Sequence, residues 1–60
     1  MKRRELLRRL QKEGCVLLRS GGNHDIYVNT KTGNKQPVPR HSEIDEHLAQ
    51  HIVRYLGLEQ

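Results

Sequence analysis

A histidine stands beside a pair of glycines where a turn leads into a predicted strand. The stretch covers residues 20–27 and contains Gly21, Gly22 and His24. Adjacent glycines predict a tight turn, because glycine reaches positive φ without a steric cost, and they let a bulky phosphodiester approach the backbone. An imidazole titrates near neutral pH, so His24 can take a proton from a ribose oxygen or give one to it. We therefore predict that His24 is a catalytic residue; the alternative is a turn histidine that only caps a backbone group.

RNA is the substrate class that suits this chemistry. Its 2′-hydroxyl is a built-in nucleophile, so a histidine beside cationic phosphate-binding groups can promote strand cleavage without a metal ion. No cofactor is expected, because a chain of 60 residues has no room for a buried cofactor pocket. Any active site on so small a protein should be shallow and covered by a large substrate or a partner.

The other histidines give weaker indications. His47 and His51 have the i, i+4 spacing of a helical zinc pair, but Leu48 stands where the metalloprotease motif requires glutamate, and no third ligand is evident. We expect exposed helix histidines there and no metal site. His41 is either a loop residue without a role or a group that orients something near the end of the third strand. Arg40 beside it is a candidate for bidentate phosphate binding.

The charge balance favours a nucleic-acid partner. Eleven Lys and Arg residues oppose seven Asp and Glu residues, which gives a formal net charge of +4. With two Tyr and no Trp or Phe, platforms for base stacking are mostly absent, so contacts should go to phosphate and sugar. The residues predicted to contact RNA are Gly22, Asn23, Lys2, Arg3, Arg8, Arg19 and Arg40.

Cysteine content and hydropathy predict a cytoplasmic protein. A single cysteine excludes an internal disulfide, and Cys15 is most simply a small apolar core residue. No apolar run approaches the roughly 18 residues that span a bilayer. Arginines interrupt the leucines near the N-terminus, so no signal-peptide core is present. Neither membrane association nor a small-molecule ligand is expected.

Helical periodicity predicts a first helix over residues 2–13. Leu6, Leu7 and Leu10 form its apolar stripe, and Gly14 is expected to end it. Lysines and arginines cover the remaining surface, which is either a solvated face or a phosphate-facing one. The first turn carries three cations although the helix dipole favours acids there, and this mismatch favours the second interpretation.

Three short strands are predicted at residues 15–19, 25–29 and 35–39. A hairpin loop at residues 30–34 joins the second and third strands, with Gly33 available for a left-handed position. Pro37 cannot donate a ladder hydrogen bond, so the third strand should lie at a sheet edge.

A second helix is predicted over residues 46–56, with Ser42 or Asp45 as its N-cap and Gly57 after its end. Its apolar stripe consists of Leu48, Ala49, Ile52, Val53 and Leu56. The order helix, strand, strand, strand, helix indicates an α+β fold in a single domain over residues 1–60. Two helices with one apolar stripe each need the same face of a three-stranded antiparallel sheet, which leaves the opposite face open to a partner.

Three segments in this order carry a family resemblance. They are the glycine–histidine stretch at residues 20–27, the run Val38-Pro39-Arg40-His41, and the closing pattern Leu48…Ile52…Leu56-Gly57-Leu58. Together they resemble the HicA (YcfA-like) toxins of bacterial type II toxin–antitoxin systems, over nearly the whole chain. The resemblance implies a fold of the double-stranded-RNA-binding-domain type, mRNA interferase activity, and a HicB-type antitoxin that covers the active surface.

The resemblance places the family's catalytic histidine on His24 and the preceding glycine on Gly22. Many members carry serine just before that histidine, where this chain has Asn23. Both residues are small and polar, so the turn should survive, but Asn23 cannot supply a hydroxyl. Two other hypotheses remain open: a non-catalytic RNA-binding module of the same fold type, and a basic domain that binds only an acidic protein.

Overall fold

The computed structural model describes residues 1–58 and confirms the predicted order of elements. These are α1 (Arg3–Lys12), β1 (Cys15–Ser20), β2 (His24–Asn29), β3 (Lys35–Pro39) and α2 (Glu46–Tyr55). Every boundary lies within one residue of its predicted position. Within the described part of the chain, neither helix is long and apolar enough to cross a bilayer.

The three strands form one antiparallel sheet in the order β1-β2-β3. β3 therefore lies at an edge, as the proline at position 37 predicts, and β1 forms the other edge. Val16 pairs with Val28, and His24 pairs with Pro39. The register between β1 and β2 shifts between Leu17 and Arg19, which is a β-bulge.

Both helices pack on one face of the sheet, as predicted. The buried core consists of Leu6, Leu10, Cys15, Tyr27, Val38, Ile44, Ala49, Ile52, Val53, Leu56 and Leu58. One member of the predicted stripe of α2 is wrong, because Leu48 remains 37% exposed at the flank of the helix. On the opposite face, Val16 is 49% exposed, since no element covers it. The structure thus has one filled face and one open face.

The N-termini of the two helices are capped in different ways. The carboxylate of Asp45 accepts hydrogen bonds from the backbone N–H groups of His47 and Leu48, so Asp45 is the N-cap of α2. Ser42 instead serves α1, where its backbone carbonyl accepts a hydrogen bond of 2.9 Å from the Arg3 N–H. α1 has no side-chain cap of its own. The loop between β3 and α2 therefore holds the start of α1 close to the end of β3.

Asn29 is the buried polar residue that ties α2 to the sheet. Its side chain is 3% exposed, and its Nδ2 donates to the carbonyl of Leu56 over 2.6 Å. Its Oδ1 accepts from the backbone N–H of Lys31 over 2.9 Å. Both ends of the amide are satisfied, and the C-terminal end of α2 gains a partner for one of its free carbonyls.

Replacing Asn29 with alanine is expected to lower the free energy of unfolding by about 1–3 kcal/mol, because the Leu56 carbonyl loses its partner. Urea denaturation followed by circular dichroism measures the change. Asn34→Ala is the matched control: Asn34 is exposed, and a surface change should stay within about 0.5 kcal/mol. Equal stability of the two variants would contradict the assigned role of Asn29.

Candidate active site at the glycine turn

The turn before β2 presents His24 to solvent. The backbone N–H of Gly21 donates to the carbonyl of His24 over 2.8 Å, which closes the turn. His24 is the first residue of β2 and its side chain is exposed. Because side chains alternate along a strand, His24 lies on the same face as Ile26 and Val28, which is the open face of the sheet. The imidazole is therefore accessible, as a catalytic role requires.

The two glycines of the turn matter because they lack a side chain, and neither has a positive φ. Among the described glycines, the positive φ angles belong to Gly14, Gly33 and Gly57, so the expectation of positive φ in this turn is wrong. A Cβ on Gly21 would lie 3.3 Å from the carbonyl oxygen of His24, a tight contact with backbone. A Cβ on Gly22 would meet nothing within 4 Å. Gly22 therefore leaves open space beside the histidine.

Gly22→Ala is expected to leave stability within about 0.5 kcal/mol of the wild type, because the added methyl meets no neighbour. If RNA occupies the space beside His24, the same methyl should slow its cleavage by about tenfold or more, since small displacements of a reacting group are costly. Thermal melting and the rate of cleavage of a labelled RNA test the two parts. A variant that cuts at the wild-type rate would show that Gly22 does not face the substrate.

Arg40 fastens the glycine turn to the end of β3. Its Nη1 donates to the carbonyl of Gly22 over 2.8 Å and its Nη2 to the carbonyl of Gly21 over 2.7 Å. Its Nε donates to Oδ1 of Asp25 over 2.9 Å. Most of the five N–H donors of the guanidinium are thus used inside the protein. The hypothesis that Arg40 binds phosphate is untested, and this geometry favours a role in holding the turn.

Asp25 is the anion that both arginines of this region share. Its Oδ2 accepts from Nη2 of Arg3 over 2.8 Å, and Arg3 also donates through Nε to the carbonyl of Pro39 over 2.8 Å. The carboxylate is 14% exposed. Hydrogen bonding from Arg40, with the charges of both arginines, lowers the pKa of Asp25 below its usual 3.8. Asp25 is therefore ionised at neutral pH, where it anchors the arginines and is poorly suited to proton transfer.

Two clefts meet at Arg40. One, of about 420 Å³, is lined by Gly22, Asn23, His24, Arg40 and His41. The other, of about 490 Å³, is lined by Lys2, Arg3, Arg4, Leu7, Arg40 and Ser42. The histidine-bearing cleft and the cationic cleft thus have Arg40 in common, and we call them the histidine cleft and the cationic cleft.

The clefts bring together most of the residues predicted to act on RNA. Gly22, Asn23 and His24 share the histidine cleft, while Lys2 and Arg3 line the cationic one. The exposed residues Arg8 and Arg19 line neither cleft. The residues predicted to contact RNA did not include Arg4 or Ser42, and the anchoring role of Asp25 was not predicted. The predicted hairpin of β2 and β3 was a signal for the residues after position 39, because it brings the end of β3 beside the start of β2.

The first turn of α1 is less mismatched than its sequence indicates. Nζ of Lys2 lies 3.1 Å from Oε2 of Glu43, and Arg3 is paired with Asp25. Two of the three cations therefore have carboxylate partners within the protein. The cations in the first turn of α1 are therefore weaker evidence for phosphate binding than the sequence indicates. The cationic cleft is a separate indication of phosphate binding.

The other residues considered for chemistry lie where they support the structure rather than a reaction. Cys15 is fully buried, and burial raises the pKa of its thiol, so it is a core residue rather than a nucleophile. The ring of His51 stacks on Tyr55 with centroids 4.1 Å apart. Within residues 1–58, no three His, Cys, Asp or Glu side chains are grouped to hold a metal ion.

The fold and the clefts define a small α-β-β-β-α protein with an exposed histidine beside a cationic surface. A family model described as the HicA toxin of bacterial toxin–antitoxin systems matches residues 3–58. The chain belongs to this HicA toxin family and is therefore a toxin of a toxin–antitoxin system. No curated protein and no solved structure gives a significant match. The likeness to double-stranded-RNA-binding domains accordingly stays a prediction.

Proposed function

We propose that this toxin is a metal-independent endoribonuclease that cleaves mRNA in the cytoplasm, with His24 as a catalytic residue. The observation that carries the proposal is the exposed imidazole of His24 in a cleft that shares Arg40 with a cationic one. The HicA family membership supports a toxic activity directed at the cell's own components. The exposed imidazole and the neighbouring cations support the cutting of transcripts as that activity.

The reaction uses the nucleophile that RNA carries. The 2′-hydroxyl attacks the adjacent phosphorus, and the bond from phosphorus to the 5′-oxygen of the next nucleotide breaks. A proton leaves the 2′-oxygen and another reaches the 5′-oxygen, giving a 2′,3′-cyclic phosphate and a 5′-hydroxyl. His24 serves as general base or general acid in this exchange. A metal ion is not required to generate the nucleophile, because the hydroxyl is already in place.

Binding of RNA depends on charge rather than on base stacking. Lys2, Arg3 and Arg4 line the cleft next to the histidine and are the candidates to meet phosphates that flank the cut. For Lys2 and Arg3, a phosphate would compete with their carboxylate partners Glu43 and Asp25. Arg8 and Arg19 would extend this contact outside the clefts. Affinity should fall as salt rises, because each phosphate contact releases a counterion.

A HicB-type antitoxin is the inhibitor that we propose for this toxin. The open face of the sheet carries apolar side chains, with Val16 49% exposed and paired with Val28, and His24 lies on that same face. An apolar or acidic partner seated there would occlude His24. A structure of the complex in which His24 stays fully open would contradict occlusion.

Incubation of the purified wild-type chain with mRNA in the presence of EDTA tests the proposed function. We expect shortened RNA whose fragments end in 2′,3′-cyclic phosphates and 5′-hydroxyls. A non-catalytic RNA-binding module would retard RNA in a native gel and leave its length unchanged. A domain that binds only protein would not retard RNA even at low salt, where phosphate contacts are strongest. Either of those outcomes would contradict the proposal.

A further inference from the structure

We propose that His41 is the second proton-transfer residue of the RNA cleavage reaction, paired with His24. This inference rests on the proposed function and adds a residue to it. His41 lines the same cleft as His24, together with Gly22, Asn23 and Arg40. Its side chain is exposed and therefore has no part in the hydrophobic core.

Strand pairing explains why two histidines so far apart in sequence meet in one cleft. His24 begins β2 and pairs with Pro39, the last residue of β3. His41 follows Pro39 by two residues. Arg40, between them, grips the carbonyls of Gly21 and Gly22, so the segment that carries His41 is fastened to the turn that carries His24.

The chemistry of cleavage calls for two groups rather than one. In an in-line displacement the attacking 2′-oxygen and the departing 5′-oxygen lie on opposite sides of the phosphorus. One group must take the proton of the 2′-hydroxyl while another gives a proton to the 5′-oxygen as its bond to phosphorus breaks. Two imidazoles in one cleft can do both, because one can accept a proton while the other donates one. Asp25 is poorly suited to this work, because its two carboxylate oxygens accept hydrogen bonds from Arg3 and Arg40.

Neither of the other two histidines offers the same arrangement. His47 and His51 both lie on α2, and the ring of His51 is stacked on Tyr55. Neither lines the histidine cleft. His47 is nevertheless exposed, like His41, and it therefore provides a control of the same residue type.

The test compares His41→Ala, His24→Ala and His47→Ala on two RNA substrates. One is an ordinary RNA, and the other has sulfur in place of the bridging 5′-oxygen at the cut, a leaving group that needs no proton. We expect His41→Ala to slow cleavage of ordinary RNA by about 10²- to 10⁴-fold. The variant that lacks the acid should recover on the sulfur substrate, and the variant that lacks the base should stay slow. His47→Ala should cut like the wild type.

The pH dependence of the cleavage rate gives a second readout. A base and an acid together produce a bell-shaped profile, and removal of His41 should abolish one of its two limbs. A His41→Ala variant that cuts at the wild-type rate, while His24→Ala does not, would overturn the pair and leave the proposed function standing. The pair would also be overturned if His41→Ala cuts slowly but keeps both limbs of the pH profile, and if neither His41→Ala nor His24→Ala recovers on the sulfur substrate. Failure of the wild type to cut any RNA would overturn the proposed function itself.

Discussion

Replacing His24 with alanine is expected to slow RNA cleavage by about 10²- to 10⁴-fold, the usual contribution of a general acid or base. The imidazole is exposed at the start of β2, so its removal leaves no cavity and no buried group without a partner. Stability should therefore stay within about 0.5 kcal/mol of the wild type. The measurement is the single-turnover rate on a labelled RNA, with circular dichroism and thermal melting to verify the fold.

The same variant has a readout in cells. Expression of the wild-type chain alone should arrest bacterial growth, and His24→Ala should relieve the arrest. A folded His24→Ala variant that cuts RNA as fast as the wild type would show that another group does the chemistry. His47→Ala is the matched control, since it removes an exposed histidine from α2 and should leave both cleavage and arrest intact.

Arg40→Ala is expected to slow cleavage by up to about 10²-fold, the cost of a catalytic group displaced by roughly 1 Å. The guanidinium binds the carbonyls of Gly21 and Gly22 and the carboxylate of Asp25. Without it, the turn that leads into His24 loses its attachment to the end of β3. Rates on labelled RNA, measured at several salt concentrations, determine the size and the cause of the effect.

Salt dependence separates two roles for Arg40. If it holds the turn, Arg40→Ala should lower the cleavage rate while the dependence of RNA affinity on salt keeps its slope. If it binds a phosphate, the slope should fall by about 1. Arg40→Lys sharpens the distinction, because lysine keeps the charge but cannot reproduce the planar fork. Wild-type rates with Arg40→Lys would contradict the role in holding the turn.

The fold could be predicted closely because its signals are local. Apolar residues at helical spacing identified both helices, the proline at position 37 placed β3 at an edge, and Asp45 was among the two predicted N-caps. Leu48 shows the limit of such patterns, since periodicity cannot tell the centre of a buried stripe from its flank. Periodicity also gives no indication that the loop before α2 caps α1 through the carbonyl of Ser42.

Most of the residues that line the two clefts could be named from the sequence, but the contacts among them could not. The type of residue and its place in a turn were enough to single out His24. The network of Arg3, Asp25 and Arg40 depends on strand register and on which arginine reaches which carboxylate, and a chain with many arginines leaves that choice open. The glycine pair was assigned the wrong physical reason, because two glycines indicate a turn without specifying its φ angles. Proximity of His41 to His24 likewise required the register.

The two outer strands of the sheet determine how another polypeptide can dock. β3 contains Pro37, which has no N–H to offer, and the β-bulge between Leu17 and Arg19 interrupts the regular spacing of β1. Such interruptions protect exposed strands against lateral pairing and self-association. An inhibitor should therefore grip this toxin through side chains laid across the sheet rather than by donating a fourth strand. The same two irregularities should also disfavour edge-to-edge association between copies of the free toxin.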